Sequence, residues 1–476
     1  MARIAFLQHI LLENLGVMAI SSVLKEHGHV VDVFCLEEED SFYESVMNFK
    51  PDIVACSLCI GEQEDVLAIL REIKKINKDI LTLIGGAFTL VFPEIVNEDC
   101  IDLMCVGDGE LACLEILNRL DKKENFFNIP GIWFKKNGQV EKNTAIAYVN
   151  NIEHLPSFDR DIYFKKYEKL RKLETKPFIL SRGCPFRCSY CYTNWINQFY
   201  RDGGGTHFRL YSPQKLIAEL LYVKDKYGLK WARFQDATFN VKLEQVREFL
   251  KLYIEKKLPG FIIYARVEDI SEEYIALLKK AGCDKLVIGI QTGNETLRKE
   301  LLNRNMSNKQ IIAACQLLKK YQIRIGADII FGWPGETMDN AYETINLCRQ
   351  LDLDDINSNV LVPYPKTQIG NYCLDNNYLK DIITYKNAGS TADSNNSLIK
   401  QDNIRQLINL DKLCYLLIRF PNLKWLVNLL IKLPPNRIFL IIKDVPSIRR
   451  NLKYEVKNTK DSFIYIMHYL KLVMKR

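Results

Sequence analysis

The sequence contains no stretch of about 18 consecutive uncharged apolar residues, the minimum for a membrane-spanning helix. Polar residues also follow Arg3 and Leu7 too soon for the apolar core of a secretory leader. The expectation is therefore a cytoplasmic protein. Cysteine is too sparse and scattered for a disulfide framework, with 14 in 476 residues, and a reducing compartment would leave these as thiols. Neither disorder nor a collagen-like repeat fits 48% hydrophobic and 26% charged residues. Basic charge is not spread along the chain: of the net +7, residues 401–476 carry 15 Lys and Arg against 5 Asp and Glu, so the rest is slightly acidic. At about 150 residues per domain the length suggests roughly three domains.

What is present is alternation. Short apolar runs at 3–8, 30–34, 53–57, 80–84 and 103–106 are interleaved with helical periodicity at 17–25, 65–75 and 111–120. This predicts an α/β fold with a doubly wound parallel sheet. Gly85-Gly86 follow the fourth run and Gly107-Asp108-Gly109 the fifth, placing permissive backbone at the carboxyl edge, where such sheets take ligands. Asn137-Gly138 predicts a closing hairpin. Residues 144–177, with Pro156, Tyr163 and Tyr167 but no period, read as a connector.

A second series predicts strands at 178–181, 231–235, 261–265, 285–290, 325–331 and 356–362, with helices at 213–226, 243–256, 272–281, 309–321 and 341–351. A closed eightfold barrel needs about 250 residues, so six units predict a partial, open (β/α)6 barrel. Beyond Gly370, Asn and Ser cluster at 376–396, and apolar helical text then returns with breaks at Pro421, Pro434 and Pro435. The expected domains are 1–143, a connector at 144–177, 178–370, and a helical appendage at 371–476.

Cys184, Cys188 and Cys191 stand alone in their spacing, C-x3-C-x2-C directly after a predicted strand. Thiolates select zinc or iron–sulfur clusters, and structural zinc closes a tetrahedron with four protein ligands. No fourth cysteine completes this set: His207 lies beyond a Gly-rich loop and His154 in the connector. Three ligands suit a four-iron cubane with one open iron, or a zinc with an external ligand. Cys56-Ser57-Leu58-Cys59 is formally C-x2-C, but a strand would send the two side chains to opposite faces, so no redox pair is expected.

With its aromatic Tyr190, the loop resembles that of the radical S-adenosylmethionine superfamily. The resemblance extends over roughly 178–370 through Arg209 with Ser212-Pro213, Asp236-Ala237-Thr238-Phe239, Tyr264-Ala265-Arg266-Val267, Gly289-Ile290-Gln291-Thr292-Gly293 and Pro334-Gly335-Glu336-Thr337. Ala237 and Gln291 stand where acidic residues are more usual in the family. The resemblance implies that Cys184, Cys188 and Cys191 hold a [4Fe-4S] cluster whose open iron chelates S-adenosylmethionine. One electron then cleaves the sulfonium to release a 5′-deoxyadenosyl radical. Tyr190, Asp236, Arg266, Gln291 and Pro334 are the implied S-adenosylmethionine contacts.

The preceding sheet, with Gly85-Gly86 and Gly107-Asp108-Gly109-Glu110, resembles the subgroup carrying an amino-terminal cobalamin-binding domain. The resemblance implies that Ser57, Gly85 and Gly86 line the slot for the nucleotide tail. His9 follows the first strand, but the D-x-H-x2-G signature is missing, which leaves the axial ligand of cobalt unassigned. The implied activity is methyl transfer to an unactivated carbon or phosphorus centre. Alternatives are radical cyclisation or rearrangement, RNA methylthiotransfer, and a non-enzymatic iron–sulfur electron carrier. Implied partners are a small-molecule or lipid-like substrate and an external one-electron donor such as flavodoxin or ferredoxin. No nucleic-acid-binding module is recognisable. In the basic tail, Trp425, Leu429, Leu430 and Phe439 interleave with Arg419, Lys424, Lys432 and Arg437. This reads either as a cap with snorkelling cations or as a peripheral membrane surface.

Overall fold

A computed structural model describes residues 1–389 and 397–444. The chain divides into two compact units: 1–187, 191–263 and 383–388 form the first, while 188–190, 264–382 and the residues from 389 onward form the second.

The first unit opens with a doubly wound sheet. Its elements are β1 (Arg3–Gln8), α1 (Leu15–Glu26), β2 (Val30–Cys35), α2 (Phe42–Phe49), β3 (Ile53–Ser57), α3 (Gln63–Ile76), β4 (Leu81–Gly85), α4 (Ala87–Val91), β5 (Leu103–Cys105), α5 (Gly109–Lys122), β6 (Ile132–Lys136) and β7 (Gln139–Lys142). The strand order is β2-β1-β3-β4-β5-β6-β7, parallel through β5 and antiparallel for the last two pairings. Chain order reverses between β1 and β3, which opens a crevice at the carboxyl ends of the strands. Asn14 caps α1 by accepting from the Val17 N–H, fixing how the chain turns off β1.

The expected connector is no loose tether. It carries two short helices, α6 (Asp161–Phe164) and α7 (Glu168–Lys172), and sends Phe158, Ile162, Tyr163, Phe164 and Tyr167 into the core of the sheet. Its lack of period is that of a chain that wraps a core. The next strand, β8 (Thr175–Phe178), begins three residues before the apolar run that predicted it. The reason is Lys176, wholly buried in that strand with its ammonium donating to the Arg171 and Leu173 carbonyls. A buried lysine satisfied by backbone is invisible to an apolar pattern.

The unit continues with β9 (Ser181–Arg182), α8 (Tyr192–Asp202), β10 (Arg209–Leu210), α9 (Pro213–Tyr227), β11 (Trp231–Phe234), α10 (Leu243–Glu255) and β12 (Gly260–Ala265), whose last two residues fall in the second unit. β8, β11 and β12 pair in parallel, and β9 and β10 form a separate antiparallel ladder. The second unit repeats the βα pattern with α11 (Glu272–Lys280), β13 (Cys283–Gln291), α12 (Asn308–Lys320), β14 (Arg324–Phe331), α13 (Met338–Leu351) and β15 (Asp355–Val360), its strands also parallel. Capping boxes at Ser307/Gln310 and Thr337/Asn340 start α12 and α13. The six parallel βα strands match the predicted partial-barrel pattern. Then follow α14 (Gln368–Asp375), α15 (Ile404–Arg419) and α16 (Lys424–Leu430), as expected for a helical appendage. Residues 390–396 of the Asn/Ser stretch and 445–476 of the appendage lie outside the described residues. No helix among the described residues is long and apolar enough to cross a membrane.

One buried cation ties the connector to the two halves of the first unit. Arg160 is 1% exposed, with its guanidinium 2.6 Å from Glu219 of α9 and 3.4 Å from Glu13, and it donates to the Pro177 carbonyl of β8. Burial pushes the Glu13 carboxyl up to about 7 despite that neighbour, so the guanidinium is what keeps these carboxylates tolerable in the interior. Removing one member of such a network leaves an uncompensated charge. Arg160→Ala is expected to lower unfolding stability by about 3–5 kcal/mol in denaturant titrations; a loss under about 1 kcal/mol would show that the network is dispensable.

Candidate cofactor-binding site

At the carboxyl edge of β1, β3, β4 and β5 the first unit encloses a cavity of about 380 Å³. All three residues expected to line a nucleotide slot, Ser57, Gly85 and Gly86, are on its wall. The wall is bare because glycine builds it. Gly86 has φ +95°, and a Cβ there would sit 2.7 Å from the Leu58 carbonyl oxygen. Gly107 has φ +121°, and a Cβ there would sit 2.2 Å from the Ala147 carbonyl oxygen. Only glycine permits both the left-handed backbone and the close approach. At Gly85 the backbone is ordinary and an added Cβ would meet Cys105 at a comfortable 3.6 Å, so the space beyond it is cavity.

Two ion pairs form the polar side of the cavity. Asp108, the N-cap residue of α5, receives both Arg209 Nη1 at 2.5 Å and Nη2 at 3.1 Å. It also accepts from the Val149 N–H at 2.8 Å and from the Tyr200 hydroxyl at 3.2 Å. Burial alone would raise this carboxyl; the hydrogen bonds and charge of Arg209, with Arg182 nearby, outweigh it and hold the carboxyl below its ordinary range. In the first turn of α5, Glu110 accepts from Arg182 Nη2 at 2.6 Å. Arg182 and Arg209 are cross-strand partners in the β9–β10 ladder, which presents both guanidinium groups to the start of α5.

The thiols on the wall are chemically quiet: burial pushes Cys56 and Cys113 up to about 12. His207 is different. Burial, then the charge of Arg209, lowers its pKa to about 4, so the imidazole is neutral at physiological pH. Its Nδ1 lies 3.1 Å from Asn197 Oδ1, and Asn197 Nδ2 donates to the Cys184 carbonyl at 2.7 Å. The cysteine loop and the cavity wall thus share a hydrogen-bonded chain. His9 lies 3.3 Å from Asp65.

Asp236 holds the approach to that loop. Its buried carboxylate accepts from the Leu180 and Ser181 N–H groups and from the Ser181 hydroxyl, at 2.6–3.1 Å. Burial pushes it up to about 6, with those bonds pulling down. These bonds go to the chain three to four residues before Cys184, so Asp236 positions the loop. Cys191 is the N-cap residue of α8, a helix the sequence reading did not anticipate.

In the second unit Cys188 is buried, with Arg266 Nη1 3.3 Å from its sulfur and the same guanidinium paired with Glu268. Ser189 is pinned by its N–H to the Leu302 carbonyl and its hydroxyl to the Leu301 carbonyl. Tyr190 receives Arg304 Nη1 at 3.1 Å and meets Trp333 edge-on, with ring centroids 5.4 Å apart. Gln291 closes β13 at φ +67° with its side-chain oxygen buried and without a hydrogen-bond partner among the described residues. Pro334 lies in the turn tied by Glu336, whose Oε2 accepts from the Gly332 and Trp333 N–H groups. The other oxygen of Glu336 has no hydrogen-bond partner among the described residues, and burial pushes the group up to about 8.

Among the described residues no three His, Cys, Asp or Glu side chains are gathered closely enough to hold a metal ion. The chemistry of the donor set nevertheless fits an iron–sulfur cluster: three soft thiols come from one eight-residue loop. The glycine-walled cavity at the sheet edge fits a slot for part of a larger ligand, and the Gln291 oxygen, without a partner among the described residues, fits a polar ligand. Arg209 and Asp108 were visible in the sequence only as parts of motifs. His207 had no local signal, being brought to the cavity by α8 and the β9–β10 ladder.

Residues 178–348 match the family model of the Radical SAM superfamily, and residues 11–117 match that of the B12 binding domain. An uncharacterized methyltransferase of Pyrococcus horikoshii is 27% identical, covering 77% of this chain and 79% of that protein. The anaerobic magnesium-protoporphyrin IX monomethyl ester cyclase of Rubrivivax gelatinosus is 26% identical over 69% of this chain, which spans 59% of the cyclase. The solved structure of OxsB, a cobalamin-dependent S-adenosylmethionine radical enzyme with aqua-cobalamin and S-adenosylmethionine bound, shares the fold at 16% identity. Its TM-score is 0.70, with 99% of this chain and 75% of that one covered. The chain therefore joins a B12 binding domain at residues 11–117 to a Radical SAM domain at residues 178–348, the combination that the motifs implied.

Proposed function

We propose that the chain is a cobalamin-dependent methyltransferase acting on an unactivated carbon or phosphorus centre of a small or lipid-like molecule. The observation that carries this reading is the glycine-walled cavity in the matched cobalamin-binding region, joined through Asn197 and His207 to the loop of Cys184. When bound, the cluster supplies one-electron reduction, S-adenosylmethionine the radical source, and cobalamin the methyl group.

The residues divide the work. Cys184, Cys188 and Cys191 are the proposed cluster ligands, and Asp236 fixes the strand end from which their loop departs. Arg304 orients the Tyr190 ring for packing on adenine, while Arg266, Gln291 and Pro334 face the rest of S-adenosylmethionine. Ser57, Gly85 and Gly86 admit the nucleotide tail of cobalamin. The electron donor is a flavodoxin or ferredoxin, and the basic carboxyl-terminal region makes a peripheral membrane contact. A second reading, radical cyclisation, is favoured by the similarity to the anaerobic cyclase. RNA methylthiotransfer would call for a second cysteine-held cluster before the barrel, and no cysteine triplet spaced like Cys184, Cys188 and Cys191 precedes it in the sequence.

The anaerobically reconstituted chain is expected to release 5′-deoxyadenosine from S-adenosylmethionine and a strong reductant. Replacing Cys184, Cys188 and Cys191 together with Ala is expected to abolish both that product and the bound iron; iron retained by the triple variant would overturn the ligand assignment. For the corrinoid, Gly85→Leu fills the cavity without backbone strain. Retention after gel filtration is expected to fall at least about tenfold with the melting temperature unchanged, and equal retention would place the corrinoid elsewhere.

A further inference from the structure

The carboxyl-terminal appendage has two faces with different chemistry. Its inner face is core: Val427 is 1% and Ile431 4% exposed, and Phe439 and Leu440 are buried as well. Asn409 of α15, itself buried, donates to the Ile431 and Leu433 carbonyls at 3.1 and 2.7 Å, which holds the end of α16 in place. The Tyr342 hydroxyl makes a further bond to Asn428.

The outer face is apolar as well, and it is bare in the described structure. Trp425 is 65%, Leu429 57%, Leu433 47% and Ile438 67% exposed. Trp425 and Leu429 are one helical turn apart on α16, so they share a face, and Leu433 lies in the turn that follows the helix. Isolated exposed apolar residues need no explanation, but four large ones within 14 residues on a pinned segment do. Along the segment itself the charge has one sign. Between positions 412 and 443 the sequence has no Asp or Glu, while Lys424, Lys432 and Arg437 are exposed among the apolar side chains.

We propose that this face is a docking surface for an anionic lipid bilayer, with Trp425, Leu429, Leu433 and Ile438 entering the headgroup–acyl boundary and Lys424, Lys432 and Arg437 pairing with acidic headgroups. Charge complementarity selects the occupant. A rim whose own segment carries cations and no carboxylate, set around apolar anchors, suits a negatively charged membrane surface. It would repel the same rim on a second copy of this chain. Tryptophan beside cations is also the composition of a membrane interface. The surface gives physical content to the peripheral membrane contact proposed above, and it would bring the enzyme to a lipid-like substrate. It stands independently of the methyl-transfer reading, because binding is measured without turnover.

The test is flotation of the full-length holo-protein with phosphatidylcholine vesicles, with and without a third of phosphatidylglycerol. The chain is expected to float with the anionic vesicles and to stay behind with the neutral ones. Raising the salt is expected to weaken the association. Trp425→Glu with Leu429→Glu, and separately Lys432→Glu with Arg437→Glu, are each expected to reduce the floated fraction at least about tenfold, with iron and corrinoid contents unchanged. Failure of the wild type to float would overturn the proposal. So would flotation unaffected by both double variants, which would transfer the binding to residues 445–476. A concentration-dependent dimer abolished by Trp425→Glu with Leu429→Glu would overturn it in favour of self-association.

Discussion

The site depends on two buried ion pairs at the start of α5. Arg209 with Asp108 and Arg182 with Glu110 join the carboxyl edge of the amino-terminal sheet to the short ladder that precedes and follows the cysteine loop. Breaking a buried pair by removing one partner costs about 3–5 kcal/mol, far more than a surface pair is worth. The geometry here is favourable, since Asp108 takes a two-pronged guanidinium together with a backbone N–H and a hydroxyl. With the ladder fixed, the cavity has a polar wall, and His207 is held beside it with a neutral ring.

Glycine supplies the complementary constraint. At Gly86 and Gly107, both on the cavity wall, a side chain would collide with the Leu58 and Ala147 carbonyls, so these positions require glycine. A large planar cofactor needs both features: room where side chains would stand, and a charged frame that does not collapse into that room. The buried thiols nearby are held neutral, so they neither compete with the frame nor offer ligands to a metal.

Much of this was legible in the sequence, and what was not has physical causes. The bounds of β1 and β3 coincide with their apolar runs because buried parallel strands are continuous apolar text. The glycines at the ends of β4 and β5 marked the sheet edge at which the cavity lies. The helix α2 escaped because its eight residues bury little more than Phe42 and Val46. The helix α8 escaped because its buried side includes Asn197, whose amide serves the cysteine loop and carries no apolar signal. Asp236 was expected to face S-adenosylmethionine; its carboxylate is taken up by Leu180 and Ser181, an economy of buried hydrogen bonds that spacing alone does not reveal. The connector concealed its burial because wrapping segments have no period, and Arg160 could be read as a buried cation only once Glu13 and Glu219 were beside it.

The most direct test of the central claim is the affinity of the full-length protein for hydroxocobalamin, measured for the wild type and for Asp108→Asn. An amide cannot accept both prongs of Arg209 as a carboxylate does, and it leaves a buried cation uncompensated. The account predicts binding at least about tenfold weaker in Asp108→Asn with the cluster still bound. Unchanged affinity would contradict it, because the cavity would then owe nothing to the ion pairs that frame it.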